Sequence, residues 1–165
     1  MPRPPRLPQG GPSIFDDVPP PDAAQPVRTL VVEADGGSRG NPGPAAYGAL
    51  VRDADGTVLD SEARTLGVAT NNVAEYSGLV AGLELARTID QTAAVEVRMD
   101  SRLVIEQMAG RWKTKHADLK PLARRAASLC AAEMAWTWVR RAENSAADGL
   151  VNAALDGRPQ PRRNS

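Results

Sequence analysis

The sequence predicts one α/β domain in which three strands come first and helices alternate with strands afterwards. Three short runs rich in apolar and β-branched residues lie between residues 29 and 64, separated by Gly, Pro and Asp turns. A long segment with helical spacing of its apolar residues follows them. Two more strand-like runs then alternate with helical segments. These observations give the element order βββαβααβα.

The length and composition fit a single intracellular domain. A chain of 165 residues is enough for one hydrophobic core. No apolar run approaches the roughly 18 residues of a membrane span, so we expect no membrane partner. Cys130 is the only cysteine, which excludes an internal disulfide framework and a cysteine-cluster zinc site. These features predict a cytoplasmic protein.

Composition divides the chain into three regions. Residues 1–28 hold nine of the fourteen prolines and lack the basic and apolar regions of a secretory signal. They contain too few large apolar residues to bury a core, so we expect a disordered, proline-rich arm. Residues 29–157 should form the folded domain, and residues 158–165 a basic tail.

The first three strands are predicted at Thr29–Ala34, Ala46–Arg52 and Thr57–Arg64. The last two are separated by Asp53-Ala54-Asp55-Gly56, a turn sequence, so we expect antiparallel pairing.

The longest helix is predicted from Asn72 to Ile89, where apolar residues recur at helical spacing. Small residues at 74, 78 and 82 share one face of it, which favours close packing on a sheet over a membrane dimer motif. The remaining elements are expected, in order, at Val95–Met99 (strand), Ser101–Ala109 (helix), Ala117–Ala132 (helix), Trp136–Arg140 (strand) and Ser145–Leu155 (helix).

Four acidic residues stand at the ends of these elements, and each has an ordinary structural alternative. Asp35 begins an Asp-Gly turn, and Asp100 could cap the helix after it. Glu75 and Asp148 could each belong to a capping box. Alternation along their strands, however, puts Asp35 and Asp100 on the more polar face. We expect Glu75 and Asp148 in the first turns of their helices, within reach of the same sheet edge.

Such an oxygen-only set suits Mg²⁺ or Mn²⁺, which prefer carboxylate and water ligands. Two ions about 4 Å apart can generate hydroxide and stabilise the leaving oxygen of a phosphodiester. The loop from Asp35 to Pro44 matches neither common phosphate-binding glycine motif, so no nucleotide cofactor is predicted. Its glycines would let the backbone approach a large ligand closely.

Basic residues are concentrated between Arg98 and Arg125, where there are eight against three acidic residues. They could form a phosphate-facing patch. A solvated helical face is the alternative.

Several separated motifs together resemble the type 1 ribonucleases H. They are the loop from Asp35 to Pro44, Thr70-Asn71-Asn72-Val73-Ala74-Glu75, Met99-Asp100-Ser101, and Glu143-Asn144 followed by Asp148. The resemblance implies a five-stranded mixed sheet flanked by helices. It also implies a monomeric enzyme that hydrolyses the RNA strand of an RNA/DNA hybrid and leaves 3′-hydroxyl and 5′-phosphate ends.

The same resemblance implies roles for particular residues. Asp35, Glu75, Asp100 and Asp148 would hold two Mg²⁺ ions, or Mn²⁺ in their place, with Asp35 bridging both. Thr70 would hold a DNA phosphate, and Trp112 and Lys113 would lie beside the DNA strand. The 2′-hydroxyl or the adjoining strand would be contacted by Gly36, Gly37, Asn41, Asn71 and Asn72.

The chain departs from the best-studied bacterial pattern in two places. Between Asp100 and Trp112 there is room for only one short helix. The extra helix and basic loop of the bacterial enzymes, known as the basic protrusion, are therefore missing. The loop after the last strand has Arg140-Arg141-Ala142 where the family has a catalytic histidine, and His116 lies in another segment. Arg141 could attract the scissile phosphate or help product to leave.

Both departures resemble those of an archaeal and actinobacterial subgroup of the type 1 ribonucleases H.

Two alternatives to ribonuclease H activity stay open. One is a non-catalytic hybrid-binding module, and the other is a different nuclease of the same fold, such as a resolvase or transposase core.

Overall fold

A computed structural model describes residues 27–158. The predicted arm and tail fall almost entirely on residues outside this range. The elements are β1 (Thr29–Ser38), β2 (Gly43–Arg52), β3 (Val58–Ala69), α1 (Asn71–Ile89), β4 (Ala94–Met99), α2 (Arg102–Met108), α3 (Lys120–Ser128), β5 (Met134–Trp138), a 3₁₀ turn (Arg141–Asn144) and α4 (Ser145–Leu155). The predicted order βββαβααβα is confirmed, with the 3₁₀ turn as an addition.

The five strands form one mixed sheet in the order β3-β2-β1-β4-β5. The first three strands pair antiparallel, as predicted, while β1 with β4 and β4 with β5 pair parallel. Two adjacent parallel strands, β1 and β4, therefore lie side by side at the centre of the sheet. Asp35 lies just beyond the last β1–β4 pair, Glu33 with Arg98, and Asp100 directly follows β4.

Several predicted boundaries were wrong, most of all in α3. The predicted helix Ala117–Ala132 is shortened to Lys120–Ser128, and Pro121 lies in its first turn. Proline favours a helix start because it has no N–H to donate. Strand β5 lies two residues earlier than predicted, since Met134 pairs with Val95 on β4.

Helix α1 lies directly on the sheet through its small residues, as predicted. A Cβ added at Gly78 would lie 2.6 Å from the backbone oxygen of Asp35, and one at Gly82 would lie 2.5 Å from Cγ1 of Val32. Larger side chains would push the helix away from the strand that carries Asp35. Buried Leu79 and Leu83 fill the core beside these contacts.

No helix in the described part of the chain is both long and apolar enough to cross a membrane.

Candidate active site

The ends of β1 and β4 are joined by one buried amide. Asn144, at the end of the 3₁₀ turn, is fully buried. Its Nδ2 donates hydrogen bonds of 2.9 Å to the Ala34 carbonyl oxygen and to Oδ1 of Asp100. Asp35, next to Ala34, is only 9% exposed. The amide thus holds the carboxyl of Asp100 beside the strand that carries Asp35.

Glu75 was predicted in the first turn of its helix, but α1 begins at Asn71, which puts Glu75 in the second turn. Thr70 caps α1 by accepting a hydrogen bond from the Val73 amide, so the capping-box alternative for Glu75 is wrong. Oε2 of Glu75 instead accepts a hydrogen bond of 2.8 Å from Oγ of Ser101. Ser101 also caps α2 through the Val104 amide, which overturns the cap alternative for Asp100.

Asp148 lies in the first turn of α4, as predicted, and that helix has no side-chain cap. Nδ2 of Asn152 donates to its Oδ2 at 3.3 Å. The Arg141 guanidinium is 3.7 Å from its Oδ1 and is mostly exposed.

The four carboxylates line one cleft of about 290 Å³. Predicted contact residues lie in it as well: Gly36, Gly37, Asn71 and Arg141. Three further polar or charged residues and two apolar residues line the cleft and were not predicted as site residues: Ser38, Arg39, Asn152, Val151 and Leu155. Ser101 and Asn144 were not assigned a role either. They hydrogen-bond to Glu75 and Asp100 across 26 and 44 residues, contacts that no local pattern marks.

Burial and mutual repulsion raise the pKa values of two of the acids. The pKa of Asp35 rises to about 7, first because burial disfavours its charge and then because Asp100, Asp148 and Glu75 repel it; the Gly36 amide opposes the rise. Burial, with repulsion from Asp100, raises the pKa of Glu75 to about 7 against the opposing Ser101 hydrogen bond. Near neutral pH the cleft therefore holds mutually repelling acids that a cation would stabilise in the ionised form.

The donor set fits Mg²⁺ or Mn²⁺. Among residues 27–158, no three Asp, Glu, His or Cys side chains are grouped closely enough to hold an ion by themselves. Mg²⁺ usually takes only one or two protein carboxylates and fills its shell with water and substrate phosphate oxygens. Carboxylates spread around an open cleft meet that requirement, whereas a closed cage would exclude a substrate.

A smaller polar recess holds three more of the predicted contact residues, Asn41, Thr70 and Asn72, together with His116. Oδ1 of Asn41 accepts from the Asn71 amide at 3.2 Å, and Oδ1 of Asn71 accepts from the Ser38 amide at 2.8 Å. These two bonds tie the glycine-rich loop to the start of α1. His116 precedes α3 and is exposed, and it does not line the carboxylate cleft.

Gly36 needs to be glycine because helix α1 lies directly against it. A Cβ there would lie 2.1 Å from the backbone carbon of Ala74 in α1. This close approach to the helix was not predicted. It fixes the backbone that follows Asp35 directly against the helix that carries Glu75.

Trp112 and Lys113 line neither the carboxylate cleft nor the smaller recess, although Trp112 is 48% exposed. The predicted basic patch is divided, because Arg98, Arg111 and Arg125 pair with nearby glutamates. Arg102 instead lies over the exposed ring of Trp138, 5.2 Å from its centroid. Nε1 of that tryptophan donates to the backbone oxygen of Asp100 at 3.1 Å.

Residues 33–154 match a family described as reverse transcriptase-like. Over 134 residues the chain is 54% identical to a bifunctional protein of Mycobacterium tuberculosis, covering 79% of this chain and 36% of that protein. It therefore spans about a third of that relative's length. It is also 30% identical to a ribonuclease H of Rhodopseudomonas palustris, covering 80% of this chain and 99% of the relative.

Solved structures agree with these relatives. The N-terminal ribonuclease H domain of the M. tuberculosis protein superposes with a TM-score of 0.76 at 52% identity, covering 79% of this chain and 95% of that one. Ribonuclease H1 of Halobacterium salinarum gives 0.73 at 42% identity, covering 78% and 98%. LC11 ribonuclease H1, solved with an RNA/DNA hybrid, gives 0.74 at 36% identity, covering 78% and 97%.

Proposed function

Because the chain belongs to the ribonuclease H family of enzymes, we propose that it hydrolyses the RNA strand of RNA/DNA hybrids with two divalent metal ions, leaving 3′-hydroxyl and 5′-phosphate ends. The observation that carries this proposal is the cleft lined by Asp35, Glu75, Asp100 and Asp148. All three of the other acids raise the pKa of Asp35. Four mutually repelling carboxylates around an open cleft suit cation-dependent chemistry on a polyanion.

Asp35, Glu75, Asp100 and Asp148 would hold the ions. When bound, Mg²⁺ or Mn²⁺ lowers the pKa of water and stabilises charge on phosphate oxygens. Ser101 and Asn144 keep two of the carboxylates in place by donating hydrogen bonds to Glu75 and Asp100. Arg141, at the exposed rim beside Asp148, supplies positive charge for the scissile phosphate.

The loop around the cleft would select RNA. The RNA strand is distinguished by its 2′-hydroxyl, which both donates and accepts hydrogen bonds. The backbone of Gly36 and Gly37 and the amide of Asn71 border the cleft, while Asn41 and Asn72 border the recess. Thr70 in that recess would take a phosphate of the DNA strand, and Trp112 with Lys113 would lie further along it.

A cleavage assay with the purified chain tests the proposal. We expect end-labelled RNA in a hybrid to be cut in Mg²⁺ or Mn²⁺ and protected in EDTA. Single-stranded RNA and duplex DNA should stay intact, the new 3′ ends should be extendable by a polymerase, and the new 5′ ends should release phosphate to a phosphatase. Hybrid binding without cleavage would indicate a binding module, and cleavage of a four-way junction a resolvase.

A further inference from the structure

Asn144 makes contacts that a residue needed only for stability would not require. Its side chain is fully buried, and its Nδ2 serves two acceptors at 2.9 Å, the Ala34 carbonyl and Oδ1 of Asp100. Both partners are acceptors, so the nitrogen of the amide must face them. A primary amide is the small neutral group that offers two hydrogens from one atom.

These two bonds join three elements of the site. Ala34 directly precedes Asp35 on β1, Asp100 follows β4, and Asn144 itself directly precedes α4, which carries Asp148. The residues are 110 and 44 positions from Asn144 along the chain. Movement of the amide would therefore change the separation of the Asp35 and Asp100 carboxylates.

The remaining atom of the amide indicates that stability does not explain it. Oδ1 of Asn144 is one of two buried side-chain polar atoms without a hydrogen-bond partner in the described part of the chain; the other is Oγ of Ser38. An unpaired buried oxygen is destabilising. A core position selected for stability would favour an apolar side chain.

We propose that Asn144 is a positioning residue that sets the Asp100 carboxylate against Asp35 in the geometry that divalent cations need. The inference rests on the proposed function, because it assigns Asn144 to the same cation site. Changing a residue that orients a metal ligand typically weakens metal affinity about 10- to 100-fold. Asn144 itself would touch neither the ions nor the hybrid.

The test compares Asn144→Ala, which removes both donor hydrogens, with Asn144→Ser, whose single hydroxyl donor lies one bond closer to the backbone. Melting temperature is measured against Mg²⁺ concentration without hybrid, and cleavage is measured over the same concentrations. We expect the Mg²⁺ concentration that gives half of the thermal shift to rise about tenfold for the alanine variant and less for the serine variant. The Mg²⁺ midpoint of cleavage should rise in parallel, with little change in KM for the hybrid.

Leu85→Ala is the matched control for lost stability. Leu85 is buried in α1, ten residues beyond Glu75, so it lies about 15 Å further along the helix. This variant should melt earlier with an unchanged Mg²⁺ midpoint. A wild-type midpoint in both Asn144 variants, or in Asn144→Ser should the alanine variant not fold, overturns the inference. A wild-type chain that neither cleaves hybrids nor responds to Mg²⁺ instead overturns the proposed function.

Discussion

Two acids on the same face of β1 have opposite surroundings. Glu33 and Asp35 are each 9% exposed and stand two residues apart. Glu33 forms an ion pair with Arg52 on the neighbouring strand. Asp35 has no lysine or arginine partner among residues 27–158 and is repelled by three other carboxylates. The buried acid Glu33 has its counter-charge in the fold, whereas Asp35 is left to be neutralised from outside.

The same contrast appears on β3, two strands away from β1. Glu62 on β3 is buried, accepts a hydrogen bond from the Tyr47 hydroxyl and lies 3.4 Å from Nε of Arg64. Burial and the neighbouring Glu62 raise the pKa of Tyr47 to about 12, so the hydroxyl keeps its proton. In this region every buried charge has a partner, which again separates structural acids from those of the cleft.

The largest expected difference between the two acids of β1 is in turnover. Asp35→Asn should lower hybrid cleavage at least about 10³-fold, because it removes a charge that would bind the cation while keeping the shape of the side chain. Glu33→Gln on the same strand is the matched control and should stay within a factor of about two. Turnover is measured at saturating hybrid in Mg²⁺, and hybrid binding is measured separately. Near-wild-type turnover by Asp35→Asn would contradict the assignment of this cleft.

The backbone of Asp35 lies directly against Gly78 of α1. Gly78→Ala should destabilise the domain by about 3 kcal/mol, because its Cβ would meet the Asp35 backbone oxygen at 2.6 Å. Gly149→Ala in α4 is the control, since nothing lies within 4 Å of its Cβ. It should be neutral or stabilise the helix by about 0.5 kcal/mol. Urea unfolding of both variants measures these differences. Equal urea midpoints would contradict the prediction, because they would show that α1 can shift away from β1 at little cost in free energy.

Local patterns predicted the elements of the fold but not all of their edges. Alternation along β1 and β4 predicted the polar face that carries Asp35 and Asp100, and helical spacing predicted α1 to within one residue of its start. The boundaries of the helices and strands depended on strand pairing and on helix caps, which involve residues elsewhere in the chain. Thr70 competes with Asn72 as the cap of α1, and only the three-dimensional hydrogen bond to Val73 decides between them.

The motifs in the sequence pointed to the four acids that line the cleft, but not to the side chains that hydrogen-bond to them. Asn144 reaches Ala34 across 110 residues, and Ser101 reaches Glu75 across 26. Such contacts leave no periodic trace in the sequence. The reason for glycine at position 36 was also hidden, because it depends on how closely α1 approaches β1.

Glu33 and Asp35 should also differ in how the free energy of unfolding depends on pH when EDTA keeps the cleft free of metal. The pKa of Asp35 is about 7 in the folded chain and near 3.8 when unfolded. The folded state therefore holds the proton more tightly, so ionisation lowers stability as pH rises from about 4 to 7 and has little further effect above 7.

At pH 8 the free energy of unfolding of Asp35→Asn should consequently exceed that of wild type by about 2 kcal/mol, so its denaturation midpoint should be higher. At pH 4 the two should differ little. Glu33→Gln should instead lose about 1 kcal/mol at pH 8, because Arg52 loses its partner. Denaturation midpoints at the two pH values decide this. A destabilised Asp35→Asn at pH 8 would mean that the cleft supplies a counter-charge of its own.

The smallest expected effect is at Arg141, a cation that lies beside the cleft acid Asp148. Its guanidinium is 3.7 Å from Asp148 and its side chain is 81% exposed, so the pair is weak in water. Arginine stays charged at neutral pH and cannot act as a general base, unlike the histidine that the family resemblance places in this loop. Arg141→Ala should therefore lower kcat only about three- to tenfold, which corresponds to about 1 kcal/mol of transition-state stabilisation. At a Mg²⁺ concentration that keeps Asp35 and Glu75 ionised, the pH profile of wild-type kcat should show no titration near 6.5, the ordinary pKa of histidine. His116→Ala is the control and should keep that profile. A loss in Arg141→Ala as large as in Asp35→Asn would show that the cleft depends on this internal cation, and the contrast with Glu33 would then fail.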